Sequence, residues 1–169
     1  MVLLISSSVG FYGEIMSIPD IVKESYDLFD RHSGVWEGEY VILDVEGKRI
    51  DSYRSCLRLA RKGNQWLQRN HYMFGDDRED VVFQFEGKFN DKGELLFDTP
   101  RLRGKAWASQ GVVLLHWEYV QPVANFNSEQ INMIGEGRRM RSWQLSEQGS
   151  PKGHVIIQES QSNKDSGLF

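Results

Sequence analysis

The sequence has almost no cysteine and no excess of positive charge. Its single cysteine, Cys56, excludes an internal disulfide bond. One free thiol is typical of a protein from a reducing, cytoplasmic compartment. The 20 basic residues are dispersed along the chain and are outnumbered by 24 acidic ones. A nucleic-acid or anionic-membrane partner is therefore not expected, since binding either requires a concentrated basic surface.

Long apolar runs are also missing. No stretch approaches the roughly 20 consecutive apolar residues of a transmembrane helix. The opening residues, MVLLISSSVG, have a short apolar run without the positive start of a secretory signal. We expect residues 1–16 to form a poorly ordered extension, with Met16 as an alternative start, and residues 164–169 to form a frayed tail. A single domain is expected to span residues 17–163.

Motifs for metal binding and for nucleophilic catalysis are absent as well. The four histidines, His32, His71, His116 and His154, lack the spacing of metal ligands. No glycine-rich phosphate loop or serine elbow occurs. The sequence therefore gives no reason to expect a metal or a cofactor.

The apolar residues that are present follow two periods. Helical spacing occurs once, from Ser17 to about Arg31. Afterwards apolar and polar residues alternate, most clearly from Val81 to Phe89, with turn residues about every 8 to 12 positions. This pattern predicts an all-β fold, an antiparallel up-and-down barrel with one N-terminal helix. The ten predicted strands are 34–42, 49–60, 65–74, 81–89, 94–97, 102–109, 112–120, 129–136, 135–144 and 154–161.

The predicted strand Gly135–Gln144 carries an unusual group of side chains. Alternation places Arg139, Arg141 and Trp143 on one face. Two guanidinium groups beside an indole suit an acid with an apolar body. Two alternatives remain. The arginines could form an outward charged face, or Glu159 on the last strand could pair with them and take the place of the acid group of a ligand.

Several short motifs resemble the calycin superfamily, which includes lipocalins, fatty-acid-binding proteins and S-type bilin lyases. They are the helix followed by Gly-x-Trp in GVWEGEYVILDVEGKRIDSY, the segment RRMRSWQ and the terminal IIQES. The likeness covers residues 25–163. It is closer to an uncharacterised calycin-like family frequent in cyanobacteria and plants than to the bilin lyases.

The resemblance implies a barrel that encloses a ligand cavity. It also implies that at least one of Arg139 and Arg141 stacks on Trp36 at the closed end, with Trp36 and Glu159 in structural roles. The fatty-acid-binding branch holds a carboxylate with Arg-x-Tyr. Here the comparable residues are Arg139, Met140 and Arg141, so the tyrosine is missing.

Inward-facing aromatic residues and the two arginines are the candidate ligand contacts. Part of the aromatic set is expected to be ordinary core. The predicted ligand-binding residues are Arg139, Arg141, Tyr40, Tyr72, Phe83, Phe85, Trp107, Trp117 and Tyr119.

Three side chains could move a proton if the barrel is an enzyme, namely His71, Tyr72 and Glu118. His71 and Tyr72 are neighbours on one strand, so they point to opposite faces. Trp66 and Phe74 share a face of this strand with Tyr72, and their apolar rings favour that face as the inner one. The apolar residues beside Glu118 favour a solvent-facing position for that carboxylate.

These patterns lead to one main hypothesis and two alternatives. The main hypothesis is a binding or carrier protein for a small, mostly apolar, acidic molecule held in the barrel. The first alternative is a barrel enzyme, such as a cyclase, isomerase or chromophore lyase. The second is a filled barrel that serves as an interaction module. Oligomeric state does not follow from the sequence.

Overall fold

A computed structural model describes residues 18–120 and 126–162. Its helix α1 spans Ile18–Arg31, with Asp20 in the first turn and Arg31 in the last, where each charge complements the helix dipole. No helix in these two ranges is long and apolar enough to cross a membrane. The predicted extension 1–16 and the predicted tail 164–169 lie outside the described residues, so both expectations remain predictions.

Ten antiparallel strands form one closed barrel in simple chain order. Each strand pairs with the next, and β1 pairs with β10 to close the sheet. The predicted all-β barrel with one helix is therefore confirmed. The strands are β1 Gly34–Leu43, β2 Arg49–Lys62, β3 Gln65–Met73, β4 Val81–Phe89, β5 Leu95–Asp98, β6 Leu102–Ser109, β7 Val112–Tyr119, β8 Phe126–Gly135, β9 Arg138–Glu147 and β10 Ser150–Ser162.

The predicted bounds differ from the structure mainly near the C-terminal end. The strand with the arginines begins at Arg138, not at Gly135, because Gly137 adopts a positive φ of 59° and completes a tight turn after β8. Residues 150–153, which precede the predicted last strand 154–161, are part of β10. A register shift between Pro151 and Gly153 accommodates the proline, which cannot donate a ladder hydrogen bond.

Helix α1 packs across one end of the barrel. The ring of Phe29 makes edge contacts with Trp66 at 5.5 Å and with Phe89 at 4.9 Å. The Ser25 hydroxyl donates a hydrogen bond of 2.6 Å to the carbonyl oxygen of Gly93. Burial of Leu28 and Phe29 stabilises this closure by about 1.5 to 3 kcal/mol for each side chain. The helix therefore makes this the closed end.

The core fills the closed end and continues along the inner wall. On β4 the buried and half-buried side chains alternate with exposed ones, so that Phe83, Phe85 and Phe89 face inward. Trp36 is fully buried near the helix. A second group around Tyr40 and Ile157 lies farther along β1 and β10. This alternation leaves a small space in the middle, which is the candidate site.

Candidate functional site

A cavity of about 130 Å³ lies inside the barrel. Phe29 and Trp66 bound it on the side of the helix. Tyr119 also lines it and is 37% exposed, so this tyrosine stands at the mouth. A space of this size is close to the roughly 150 Å³ of an engineered apolar cavity that holds benzene. The cavity therefore accommodates a molecule about the size of one aromatic ring.

The middle of the cavity has an aromatic wall. The ring of Tyr72 meets the rings of Tyr40, Tyr53 and Phe83 at centroid distances of 5.2, 5.6 and 5.6 Å. Tyr40 stacks on Tyr53 at 4.9 Å. Such edge and stacked contacts hold the rings in place, so the wall is preformed for an apolar or aromatic body.

Arg139 is part of the scaffold at the closed end. Its guanidinium lies 4.2 Å from the ring centre of Trp36, and its Nε donates a hydrogen bond of 2.5 Å to Glu159. The indole nitrogen of Trp36 donates to the carbonyl oxygen of His32 at 2.9 Å. Arg139 and Glu159 are both almost fully buried. This geometry has the stacking that the calycin resemblance implied for one of the two arginines.

Arg141 is held by two carboxylates and a hydroxyl. Its Nε donates to Glu129 at 2.6 Å, and its Nη1 donates to Tyr40 at 3.3 Å and to Glu159 at 3.4 Å. Burial alone would raise the pKa of Glu159, but Arg139 and Arg141 outweigh burial and lower it. Glu159 is therefore ionised beside both arginines.

The two arginines that were expected to bind the carboxylate of a ligand are thus paired with carboxylates of the protein itself. Glu159 fills the role that the sequence left open for it, and Glu129 is a second anion that the sequence did not reveal. Two guanidinium groups face two carboxylates, so this buried cluster is close to electrically neutral. A charged residue at an inward position of β8 breaks the polar–apolar alternation, which is why the pattern could not identify Glu129.

Gly38 makes the cluster sterically possible. It lies opposite Glu159 in the β1–β10 pairing. A Cβ atom at position 38 would lie 2.6 Å from Cγ of Glu159 and 2.3 Å from the carbonyl oxygen of Gln158. Only the absence of a side chain lets the two strands and the buried carboxylate approach this closely.

Strand β3 carries a row of hydrogen-bonded polar side chains along the inner wall. Trp66 donates to Gln68 at 3.2 Å, Gln68 donates to Asn70 at 2.9 Å, and Asn70 donates to Tyr72 at 3.1 Å. These residues are two apart, so they share one face of the strand. The row ends at Tyr72, whose hydroxyl lies 3.5 Å from that of Tyr40. It therefore connects with Arg141 through Tyr40.

His32 is a further polar residue at the cavity that the sequence did not single out. It is 2% exposed, and neither ring nitrogen has a hydrogen-bond partner among the described residues. Burial, with the charges of Arg139 and Arg141, lowers the pKa of His32 from 6.5 to about 3. The imidazole is therefore neutral at physiological pH. Its position between the helix and β1 gave no periodic signal.

Most of the predicted ligand contacts line the cavity. They are Arg139, Arg141, Tyr40, Tyr72, Phe83, Phe85, Trp117 and Tyr119. Gln68 and Asn70 also line it, on the face of β3 that was favoured as the inner one because it carries Tyr72, whereas Tyr53 and Glu129 were not predicted. Glu129 was missed because polar side chains on a strand normally face solvent.

The inward position expected for Trp107 is wrong. Its neighbour Ala106 is the buried residue that lines the cavity. Trp107 lies on the outer face, where its ring contacts His116 at 5.1 Å and the ammonium of Lys105 at 5.2 Å. The prediction placed Trp107 inward because its side chain is large and apolar. On β6, however, small residues face inward and the indole covers the outer surface.

Of the three candidates for proton transfer, only Tyr72 lies at the cavity. His71 points outward and pairs with Asp80 at 2.8 Å. Glu118 also points outward and pairs with Arg103 at 2.5 Å. In residues 18–120 and 126–162, no group of three or more potential ligands could hold a metal ion. Cys56 is a free, half-buried cysteine on β2.

Three solved structures have a similar barrel. The S-type phycobiliprotein lyase CPES from Guillardia theta has a TM-score of 0.66 at 14% identity, over 83% of this chain and 93% of that chain. The chain has a calycin-like fold. The resemblance to calycins, with distant likeness to S-type bilin lyases, is therefore confirmed at the level of the fold.

The other two structures agree with this calycin-like barrel. A DUF3598-family protein of unknown function from Nostoc punctiforme gives a TM-score of 0.60 at 17% identity, over 78% of this chain and 48% of that chain. This chain thus spans about half of that protein. Rv2717c from M. tuberculosis gives 0.57 at 13% identity, over 82% and 97% of the two chains. No protein-family model and no curated protein matches the sequence.

Proposed function

We propose that the protein binds a small, mostly apolar molecule of about one ring inside its barrel. The observation that carries the proposal is the aromatic cavity of about 130 Å³ with a short row of polar side chains on one wall. Apolar walls with a few placed hydrogen-bonding groups are typical of small-molecule sites. The calycin-like fold supports the same conclusion, since barrels of this kind hold single small ligands.

The polar end of the ligand is proposed to be uncharged. The acidic group expected from the arginine pair would enter a space where Glu129 and Glu159 already balance Arg139 and Arg141. An additional buried anion without its own counter-charge costs several kcal/mol. A neutral hydrogen-bonding group avoids this penalty and still uses the polar wall.

An enzyme is not the preferred proposal. The structural neighbour from Guillardia theta is a phycobiliprotein lyase, but His71 and Glu118 lie outside the barrel here. Burial raises the pKa of Tyr72, so this hydroxyl keeps its proton and is a poor base. A cytoplasmic location belongs to the proposal and is supported by the free thiol of Cys56.

Binding of one-ring probes tests the proposal. The purified protein is titrated with benzene derivatives by calorimetry, and a solvent extract of the protein is examined by mass spectrometry. We expect saturable binding at one site. The variant Ala106→Leu adds carbon atoms at the cavity wall and should weaken binding at least tenfold, whereas Trp107→Phe, one residue away on the outer face, should not.

A different outcome would overturn the proposal. If no probe binds and the extract contains no small molecule, the interior is a filled core. The alternative of a barrel that serves as an interaction module would then be the better hypothesis.

A further inference from the structure

The hydrogen bonds along β3 have one possible direction. An indole N–H only donates, so Gln68 accepts through its carbonyl oxygen at 3.2 Å. Its amide nitrogen then donates to the oxygen of Asn70 at 2.9 Å, and the nitrogen of Asn70 donates to the hydroxyl oxygen of Tyr72 at 3.1 Å. Every bond in this row points toward Tyr72.

A second chain reaches the same oxygen from the ionic cluster. Arg141 only donates, and its Nη1 lies 3.3 Å from the hydroxyl oxygen of Tyr40. The oxygen of Tyr40 is thereby an acceptor, and it lies 3.5 Å from the oxygen of Tyr72, in a hydrogen bond that either hydroxyl can donate. The positive charge of Arg141 polarises the hydroxyl of Tyr40 in this second series of hydrogen bonds.

The two chains leave one unused proton on the pair of tyrosine hydroxyls. A tyrosine hydroxyl has one proton and two lone pairs. Each oxygen accepts one hydrogen bond, from Asn70 or from Arg141, and the bond between the two hydroxyls uses one of their two protons. The other proton has no acceptor among the residues that the structure describes. Tyr40 is 1% exposed, whereas Tyr72 is half-buried and lines the cavity. This difference favours Tyr40 as the donor between the two hydroxyls and leaves the proton of Tyr72 unused.

We propose that Tyr72 donates this proton in a hydrogen bond to an acceptor oxygen of the ligand. The inference rests on the proposed function and specifies its ligand as a compact ring that carries a carbonyl or a similar uncharged acceptor. The rings of Tyr40, Tyr53 and Phe83 around Tyr72 contact the apolar body, while the oxygen points at the hydroxyl. A ligand whose polar group only donates does not fit, because Tyr72 has no lone pair left to accept.

A matched pair of ligands tests this assignment. Acetophenone and α-methylstyrene have nearly the same shape, but only the ketone has an acceptor oxygen. A hydrogen bond contributes about 0.5 to 1.5 kcal/mol, which corresponds to roughly two- to tenfold in Kd. We expect Tyr72→Phe to raise the Kd of acetophenone by about this factor and to leave that of α-methylstyrene within twofold. Differences in ligand hydration cancel, since they are the same for every variant.

Tyr26→Phe is the control variant, because it removes a tyrosine hydroxyl on α1, where the ring packs against Phe89 and does not line the cavity. It should leave both dissociation constants within twofold. Infrared spectroscopy gives a second measurement that needs no variant. The carbonyl stretch of acetophenone bound to the unaltered protein should lie at lower wavenumber than that of acetophenone in hexane.

The outcomes separate this inference from the proposed function. If both ligands bind but Tyr72→Phe weakens them equally, or the carbonyl stretch matches that in hexane, the role of Tyr72 is wrong while the cavity still binds apolar molecules. If neither ligand binds the unaltered protein, the proposed function fails and this inference fails with it.

Discussion

The buried imidazole of His32 should make the protein less stable as the pH falls. In the folded protein its pKa is about 3, whereas the unfolded chain has the ordinary value of 6.5. Below pH 6.5 the unfolded state therefore binds a proton that the folded state does not bind. The free energy of unfolding decreases through this window, until the folded state is also protonated near pH 3.

The size of the effect follows from the two pKa values. Each pH unit well inside the window costs about 1.4 kcal/mol. Between pH 7 and pH 4.5, His32 should lower the free energy of unfolding by about 2.5 kcal/mol. The imidazole is 2% exposed, so solvent screens little of this difference. The ionised Glu159, whose pKa is lowered from 4.5, adds its own acid sensitivity only below this range.

Urea unfolding at a series of pH values measures the effect. The variant His32→Phe keeps a ring at this position without a titrating group, so its stability should fall by about 2.5 kcal/mol less than that of the unaltered protein. His154→Gln is the control, because His154 is exposed on β10, and its curve should follow the unaltered protein. If His32→Phe also follows the unaltered protein, His32 is not the buried neutral group described here.

Three further predictions concern the closed end and are measured by urea unfolding at neutral pH. Trp36→Ala should cost about 3 to 5 kcal/mol, because the fully buried indole packs beneath Arg139; a loss below 1 kcal/mol would contradict this. Arg139→Met should cost about 3 to 5 kcal/mol, since it removes a partner of the buried Glu159 carboxylate, and an unchanged midpoint would disprove that pairing. Gly38→Ala should cost about 1 to 3 kcal/mol through its backbone clash, while Gly135→Ala, with open space around it, should be neutral.

The barrel could be predicted from the sequence because its signals are local. Apolar alternation and turn glycines define each strand, and the bounds of β4 and β6 match the prediction residue for residue. Short connections between all strands then favour a meander. The start of β10 was missed because Pro151 and Gly153 are typical turn residues, and only the register shift shows how a strand accommodates them.

The site was only partly predictable because its polar part depends on pairings between distant strands. The aromatic wall follows from alternation, and Arg139 and Arg141 stand out by composition. Glu129 joins Arg141 only through the register of β8 with β9. The direction of hydrogen bonds toward Tyr72 likewise requires coordinates. Trp107 shows the opposite error, since a large apolar side chain was assigned inward while small alanines occupy the interior.

The pairing of β1 with β10 has a consequence for how the chain folds. These strands lie near opposite ends of the described sequence, so their pairing carries the largest loop-closure cost in the barrel. Tyr40 on β1 and Glu159 on β10 bring the ionic cluster together across this seam. The pairing of β1 with β10 and the burial of these charges are therefore one event. We expect this event to limit the refolding rate, which should be slow for a protein of this length.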